Sequence, residues 1–177
     1  VTKLYEIRPP EHPKVTYSAG VIGGGTSVNA IPGEAWIEID MRSESAEELA
    51  RLDRRFLAIL DEAVAHENGV RATTLGKVSV EAKVIGERPA GSTPREAGVV
   101  QAIAAAAKAM GYTPDYEASS TDANLPMSLG VPAVTIGSGG TGGRAHSLDE
   151  WIDVEPSASV RGMSVGLAAL LATAGVK

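Results

Sequence analysis

The sequence predicts a chain of mixed helices and strands, of the α+β or α/β class, built from two modules. Three segments of the first half alternate apolar and polar residues, and a segment between them carries apolar residues every three or four positions. In the second half, two helical stripes enclose a short, mostly apolar run that does not alternate. Alternation is typical of strands with one buried face, whereas the longer spacing is typical of helices with one buried stripe.

The first module, residues 1–88, is predicted to have the order β-β-α-β. Residues 15–22 and 34–43 form the first two strands, and the second of these, "EAWIEIDMRS", alternates most clearly. The third strand is expected over "KVSVEAKVIG", residues 77–86. A β-α-β-β-α-β sandwich would need one more strand and helix before this order, so the module looks incomplete on its N-terminal side.

The helix of the first module is predicted between residues 45 and 68. Ser45 and Glu48 have the spacing of a capping box, and Asn68-Gly69 is expected to end the helix. One stripe of apolar residues runs along it: Leu49, Leu52, Phe56, Ile59, Leu60 and Ala63. This stripe is expected to pack on the apolar face of the sheet.

The second module, residues 89–177, is predicted to place a short parallel strand between two helices. Thr93-Pro94-Arg95-Glu96 reads as an N-cap, a first-turn proline and a capping-box glutamate, and Gly111 ends that helix. The run "VPAVTIG", residues 131–137, has no alternation, as in a strand buried on both faces. Pro156 begins the last helix, whose expected buried face is Val160, Met163, Leu167 and Leu170.

Composition and charge exclude several classes of partner and site. The chain has 16 basic and 22 acidic residues, a net charge of −6 and no Lys/Arg cluster, so a nucleic-acid partner is not expected. Because cysteine is absent, any metal must be held by His, Asp or Glu. No stretch of about 18 apolar residues and no signal peptide stand out, so we expect a cytoplasmic protein without a membrane partner.

A glycine-rich stretch, "GSGGTGGRAHSLDEW", begins at Gly137. Gly137, Gly139 and Gly142 match the G-x-G-x-x-G pattern of dinucleotide-binding loops. No helical stripe follows, however, and Gly162 stands where that fold needs an acidic residue. Since a glycine loop after a parallel strand is a usual place for a ligand, a substrate cleft is the better interpretation.

His146, inside this stretch, is the most notable of the three histidines. His12 lies in a proline-rich loop and His66 at the end of a charged helix, so both are interpreted as surface residues. A catalytic zinc needs about three protein ligands. His146 therefore cannot hold a metal alone.

Two segments together resemble the M20 metallopeptidase family, which includes acetylornithine deacetylase, succinyl-diaminopimelate desuccinylase, carboxypeptidase G-like enzymes and peptidase T. Residues 119–154 carry "SSTDA", the glycine-bounded strand and "HSLDEW", as at the end of that family's catalytic domain. Residues 24–43 carry "NAIP" and "DMR", as in its dimerisation (lid) domain. The one departure is Arg144-Ala145 between the last glycine and the histidine. The resemblance covers nearly all of residues 15–175.

The resemblance implies a partial ferredoxin-like lid followed by the C-terminal α/β part of a zinc-peptidase catalytic domain. Such enzymes use two zinc ions to hydrolyse peptide or N-acyl amino acid amide bonds, and they form homodimers through the lid. The family's general base and most of its metal ligands belong to segments that precede this part. The resemblance therefore implies no catalytic residue here, and a chain that by itself is inactive and does not retain zinc.

Seven residues match positions with roles in the family. His146 matches a metal ligand. The substrate-binding positions are Asn29, Arg42, Thr121, Asp122, Gly137 and Gly139; Arg42 is the position that in several members binds a substrate carboxylate.

Ordinary structural roles remain open for most of these residues. Arg42 is also placed to form an ion pair along its strand, Asn29 to form a turn and Asp122 to cap a helix near residue 123. Asp149 and Glu150 are interpreted as structural or solvent-facing. Two other functions stay open for the chain: a non-catalytic dimerisation module, and a binding protein that holds a small anion with Arg42 and the glycine loop.

Overall fold

The computed structural model describes residues 1–71, 74 and 76–176, and the chain divides into two compact units, Val1–Ala90 and Gly91–Lys177. The elements of unit 1 are strands β1 (Val15–Gly24) and β2 (Ala35–Ser43) and helix α1 (Ala46–Val70). Those of unit 2 are α2 (Gly98–Ala109), α3 (Asn124–Ser128), β3 (Gly142–Gly143), β4 (Trp151–Ile152) and α4 (Pro156–Ala174). The predicted mixed α/β class is confirmed.

In unit 1, β1 and β2 form an antiparallel hairpin. Val15 lies opposite Ser43 and Gly24 opposite Ala35, and the register shifts once, between Ala19 and Val21. Along β2, half-buried and exposed residues alternate from Ile37 onward as predicted. The apolar side chains on one face are thus available to a helix, while the charged side chains on the other face meet solvent.

Helix α1 packs against β2 and begins as predicted. The Ser45 hydroxyl accepts a hydrogen bond from the Glu48 backbone N–H at 3.3 Å, which satisfies one of the free donors of the first turn. Leu52 and Ile59 are buried, and Leu49, Phe56 and Leu60 of the predicted stripe are half-buried, whereas Ala63 is exposed.

The predicted end of α1 and the strand after it are both wrong. The helix continues to Val70, and the Asn68 side chain binds the backbone of Val78 through two hydrogen bonds of 2.8 Å, one donated and one accepted. Residues 77–86 form no strand. A strand needs a neighbouring backbone along its length, and here a side-chain amide satisfies the Val78 groups instead.

Unit 2 is centred on the packing of α2 against α4. Its buried cluster consists largely of small side chains: Ala106, Ala107, Val165 and Ala169. Because the side chain of alanine is a single methyl group, the two helices are able to approach each other closely. The core is therefore compact, although no side chain in the described residues is fully buried.

The start of α2 was predicted wrongly. The helix begins at Gly98 with Ala97 as its N-cap, and no side chain caps it. The Thr93 hydroxyl instead donates to the Ala133 carbonyl at 2.6 Å and accepts from the Ala133 N–H at 3.0 Å. Both backbone groups of Ala133 are therefore bound by a side chain. Residues 131–137, predicted as a buried strand, form no strand, and Val131 is 54% exposed.

Helix α4 begins at Pro156 as predicted but buries the opposite face. The predicted core residues are all more than half exposed: Val160, Met163, Leu167 and Leu170. The buried residues are Gly162, Val165 and Ala169, because this narrow face lets α2 and the glycine-rich stretch approach the helix axis. By length and apolar composition alone, α4 is the one helix of the described part that would suffice to cross a membrane.

The glycine-rich stretch contacts α4 backbone to backbone. A Cβ atom built on Gly162 would lie 2.1 Å from the Cα of Gly139, and one built on Gly139 would lie 2.6 Å from the Cα of Gly162. Gly139 and the next residue, Gly140, have φ angles of +88° and +75°, which glycine adopts without strain. Both residues of this contact must therefore be glycine.

Gly162→Ala is expected to lower the free energy of unfolding of unit 2 by about 1–3 kcal/mol, since the new methyl group overlaps the backbone of Gly139. The measurement is urea denaturation followed by circular dichroism. The matched control is Gly166→Ala on the same helix, whose methyl group would meet only the flexible tip of Ile136 at 3.1 Å. The control should be neutral or stabilising by up to ~1 kcal/mol from helix propensity. Equal effects of the two changes would contradict the close contact.

The Glu155 carboxylate caps α4 by accepting from the backbone N–H groups of Ser157 at 3.0 Å and Ala158 at 2.9 Å. Hydrogen bonds from the Ser157 hydroxyl and from these two N–H groups lower the pKa of Glu155 below 4.5. The cap thus stabilises the folded state fully above the unfolded pKa, and this contribution is lost as pH falls through the lower folded value. Thermal melts between pH 7 and 2.5 should show a smaller loss of stability at acid pH for Glu155→Gln than for the wild type.

Candidate functional site

The candidate site in unit 2 is a small hairpin formed by β3 and β4, with residues 144–150 as its loop. Gly142 pairs with Ile152 and Gly143 with Trp151, and the Asp153 N–H donates to the Thr141 carbonyl at 2.7 Å. The Trp151 indole lies so close to Gly143 that an added Cβ would be 2.9 Å from its Nε1 atom. This base closes the loop that contains His146.

Two residues of this loop that are not glycine adopt left-handed backbone angles. The φ angle is +57° at Arg144 and +65° at His146. Such angles cost roughly 1–2 kcal/mol for a residue with a Cβ atom. They persist only where surrounding contacts hold them, and strain of this kind is concentrated at functional sites.

Hydrogen bonds and one ion pair within the loop hold these angles. The Ser147 N–H and hydroxyl both donate to the Arg144 carbonyl, at 3.1 and 2.7 Å. The His146 N–H donates to the Glu150 carboxylate at 3.3 Å, and Arg144 pairs with Asp149 at 3.2 Å. His146 itself is exposed, so its imidazole is accessible from solvent.

The described residues do not form a complete zinc site around His146. Within residues 1–71, 74 and 76–176, no group of three His, Cys, Asp or Glu side chains is close enough to hold a metal ion. A catalytic zinc takes about three protein ligands. His146 fits the chemistry of one zinc ligand, but the set as a whole does not fit a resident zinc ion.

Thr121 and Asp122 precede α3, and Thr121 is tied to the segment that leads into the glycine loop. The Thr135 hydroxyl, two residues before Gly137, donates to the Thr121 hydroxyl at 2.8 Å. The Thr121 N–H donates to the Asn124 side chain at 2.8 Å. The N-cap of α3 is Ala123, which makes no side-chain cap, and Asp122 is exposed one residue earlier. The structure thus brings Thr121 beside the start of the glycine loop.

In unit 1, Arg42 forms an ion pair along its own strand. Its Nε donates to Asp40 Oδ2 at 2.6 Å, and this hydrogen bond, together with the charge of Asp40, raises the pKa of Arg42. The two side chains are 61% and 54% exposed. An exposed pair of this kind contributes little to stability, so the guanidinium is open to exchange with another carboxylate.

Asn29 and Arg42 lie at opposite ends of the hairpin. Asn29 lies in the loop between the strands, where the Ser27 hydroxyl donates to its Oδ1 atom. Arg42 faces Thr16 near the other end. From Ala35 to Arg42, seven residues at about 3.3 Å each span roughly 23 Å. The structure therefore does not bring these two predicted substrate-binding residues together within unit 1.

Sequence reasoning missed Ser147, and it interpreted Glu150 as structural or solvent-facing without identifying the contact that Glu150 makes. Ser147 makes or receives hydrogen bonds with both flanks of the loop, and Glu150 reaches back to the His146 backbone. The signal was present as Ser147-x-x-Glu150 directly after the histidine. It is easily overlooked because the same spacing usually marks the start of a helix.

Comparison with known proteins gives one family. The model of peptidase family M20/M25/M40 matches residues 10–172 and so spans both units. No curated protein matches the chain. Members of the family are hydrolases, and they generally bind metal ions. A match over this length of sequence shows that the chain belongs to peptidase family M20/M25/M40.

Proposed function

We propose that this chain forms part of the active site of a zinc-dependent hydrolase that cleaves peptide or N-acyl amino acid amide bonds. The observation that carries the proposal is the placement of His146. It is exposed on a strained loop between β3 and β4, inside the region that matches the family. A histidine held in this way at the surface is suited to binding a ligand, because its side chain stabilises no core.

His146 is proposed to be a ligand of one of two zinc ions, through a neutral imidazole nitrogen. No second and third donor lie beside it among the described residues. We therefore propose that the remaining ligands and the general base lie outside this sequence, and that this chain alone binds zinc only weakly, without retaining it, and is inactive.

Four residues of unit 2 are proposed to line the substrate cleft: Thr121, Asp122, Gly137 and Gly139. The link between Thr135 and Thr121 supports this proposal, because it ties the loop before α3 to the segment that leads into the glycine-rich stretch. Glycine backbone is able to approach a substrate closely, and its N–H groups are donors that suit the carbonyl oxygen of an amide.

In unit 1, Arg42 is proposed to bind a carboxylate of the substrate. Asn29, at the other end of the hairpin, is proposed as a polar contact to substrate that is separate from the one made by Arg42. Arginine suits this role because its planar guanidinium binds a carboxylate through two parallel hydrogen bonds. The pair with Asp40 uses Nε and is largely exposed, so a substrate carboxylate is able to compete for the same group.

A second candidate function, a non-catalytic dimerisation module, is supported by the sheet of unit 1. Among the described residues, β1 and β2 pair only with each other, so each has an outer edge without a partner strand. Such edges favour pairing with another strand, and a second copy of the hairpin would extend the sheet. We also propose that the protein forms a homodimer through unit 1. Its proposed location is cytoplasmic, with no nucleic-acid or membrane partner.

The purified chain, supplied with Zn²⁺, is expected to hydrolyse dipeptides and N-acetyl amino acids no faster than buffer containing Zn²⁺. The physical reason is that one histidine is too few ligands for a catalytic zinc. Release of free amine measures the rate. Turnover in the range of ordinary enzymes, about 1–10³ s⁻¹, would overturn the proposal of an inactive chain.

Sedimentation equilibrium and metal analysis of the same sample should separate the two candidate functions. The first predicts that removal of His146 (His146→Ala) abolishes the weak binding of Zn²⁺ measured by equilibrium dialysis. The second predicts a dimer that persists in this variant and after treatment with EDTA, because strand pairing does not involve the metal. A monomer at all concentrations would exclude the dimerisation module.

Asp40→Asn is expected to strengthen the binding of N-acetyl amino acids to Arg42, since it removes the carboxylate that occupies the guanidinium. The gain should be about two- to fivefold, the size expected for an exposed ion pair. Chemical shifts of the Arg42 Nε–H group during titration provide the measurement. Glu38→Gln, on the same strand face, is the matched control and should leave the affinity unchanged. The role of Arg42 would be excluded if its resonance did not respond to ligand.

A further inference from the structure

We infer that Glu150 and Ser147 are positioning residues for His146, which hold the backbone from which its imidazole is presented. The inference rests on the proposed role of His146 as a metal ligand and adds the groups that set its direction. It concerns only the loop between β3 and β4.

Ser147 connects the two sides of this loop through four hydrogen bonds. Its N–H and hydroxyl donate to the Arg144 carbonyl, at 3.1 and 2.7 Å. Its hydroxyl accepts from the Asp149 N–H at 3.2 Å, and its carbonyl accepts from the Glu150 N–H at 3.2 Å. Two of these bonds are made by the hydroxyl, so a small side chain adds to the two backbone hydrogen bonds that Ser147 makes in this loop.

Glu150 satisfies the backbone of His146 itself. Its Oε2 accepts from the His146 N–H at 3.3 Å, four residues back along the chain. Among the described residues, no backbone carbonyl accepts from this N–H. A carboxylate that reaches across the loop provides the missing acceptor, and its negative charge strengthens the bond.

A comparison with the preceding glycines indicates that these hydrogen bonds serve to orient the histidine side chain. Where only the backbone conformation is needed, at positions 139 and 140, the chain uses glycine, which adopts positive φ without strain. At position 146 it uses a residue for which that conformation is costly, on an exposed loop where no core packing demands a side chain. Two side chains then stabilise the costly conformation. The arrangement makes sense if the imidazole must leave the backbone in one direction.

Hydrogen exchange of the His146 amide, measured by NMR on the full chain, tests the inference. Glu150→Ala should speed exchange by roughly tenfold or more, since the acceptor is removed. Glu150→Gln keeps an acceptor oxygen and should restore slow exchange to within about threefold of the wild type. Asp149→Ala is the control for loss of charge, because it removes a carboxylate and its exposed ion pair with Arg144 from the same loop but keeps the bond to the His146 N–H. If Asp149→Ala speeds the exchange as much as Glu150→Ala, or if neither does, the inference fails.

The φ angle of His146, obtained from three-bond couplings, gives the second readout. It should stay positive in the wild type and in Glu150→Gln and Ser147→Thr, and become negative on average in Glu150→Ala and Ser147→Ala. A positive angle in both alanine variants would overturn the positioning role even if the loop remained folded.

A Zn²⁺ titration followed on the His146 imidazole resonances separates this inference from the proposed function. Movement of these resonances in the wild type and in Glu150→Gln, weakened in Glu150→Ala, supports both. If the resonances do not move but the exchange results are as expected, His146 is not a zinc ligand. Glu150 and Ser147 then hold the loop for a structural reason only. If the resonances of Glu150→Ala move as much as those of the wild type, and its amide exchange is also the same, the positioning role is excluded while the ligand role stands.

Discussion

The contact between Gly139 and Gly162 is the constraint on which the candidate site depends. Two backbones touch here with no room for a Cβ atom on either side. This contact docks the glycine-rich stretch on α4, and α4 in turn packs on α2 through alanine and valine. Close-packed backbone does not yield to small displacements, so the position of the loop follows from that of the helix.

Between this contact and His146, a series of further contacts restricts the backbone conformation. Gly140 approaches the Asp153 carbonyl, the two rungs of β3 and β4 follow, and the Trp151 indole covers Gly143. The loop then begins at Arg144 and presents the histidine. Each step is a contact of backbone or of an aromatic ring, and together they fix the two ends of the loop within which Ser147 and Glu150 hold the histidine.

Much of the local structure was predictable from neighbouring residues. The alternation along β2, the Ser45 cap and the proline start of α4 depend on groups within a few positions of one another, and all three were predicted correctly. The predicted strands at 77–86 and 131–137 failed for a common reason. A strand is defined by a partner, and in each segment a distant side chain, Asn68 or Thr93, binds backbone groups that a partner strand would use.

The sequence by itself determined the family, the starts of α1 and α4, and the identity of His146 as the residue of interest. Only the tertiary structure decided which face of α4 is buried and how His146 is held. Hydrophobic periodicity finds the largest apolar side chains, and it therefore predicted Leu167 and Leu170 as core. Burial was instead decided by how closely backbones approach, which favours Gly162 and Ala169. Likewise, the bond from Glu150 to His146 depends on a left-handed turn, and no spacing in the sequence specifies the sign of a φ angle.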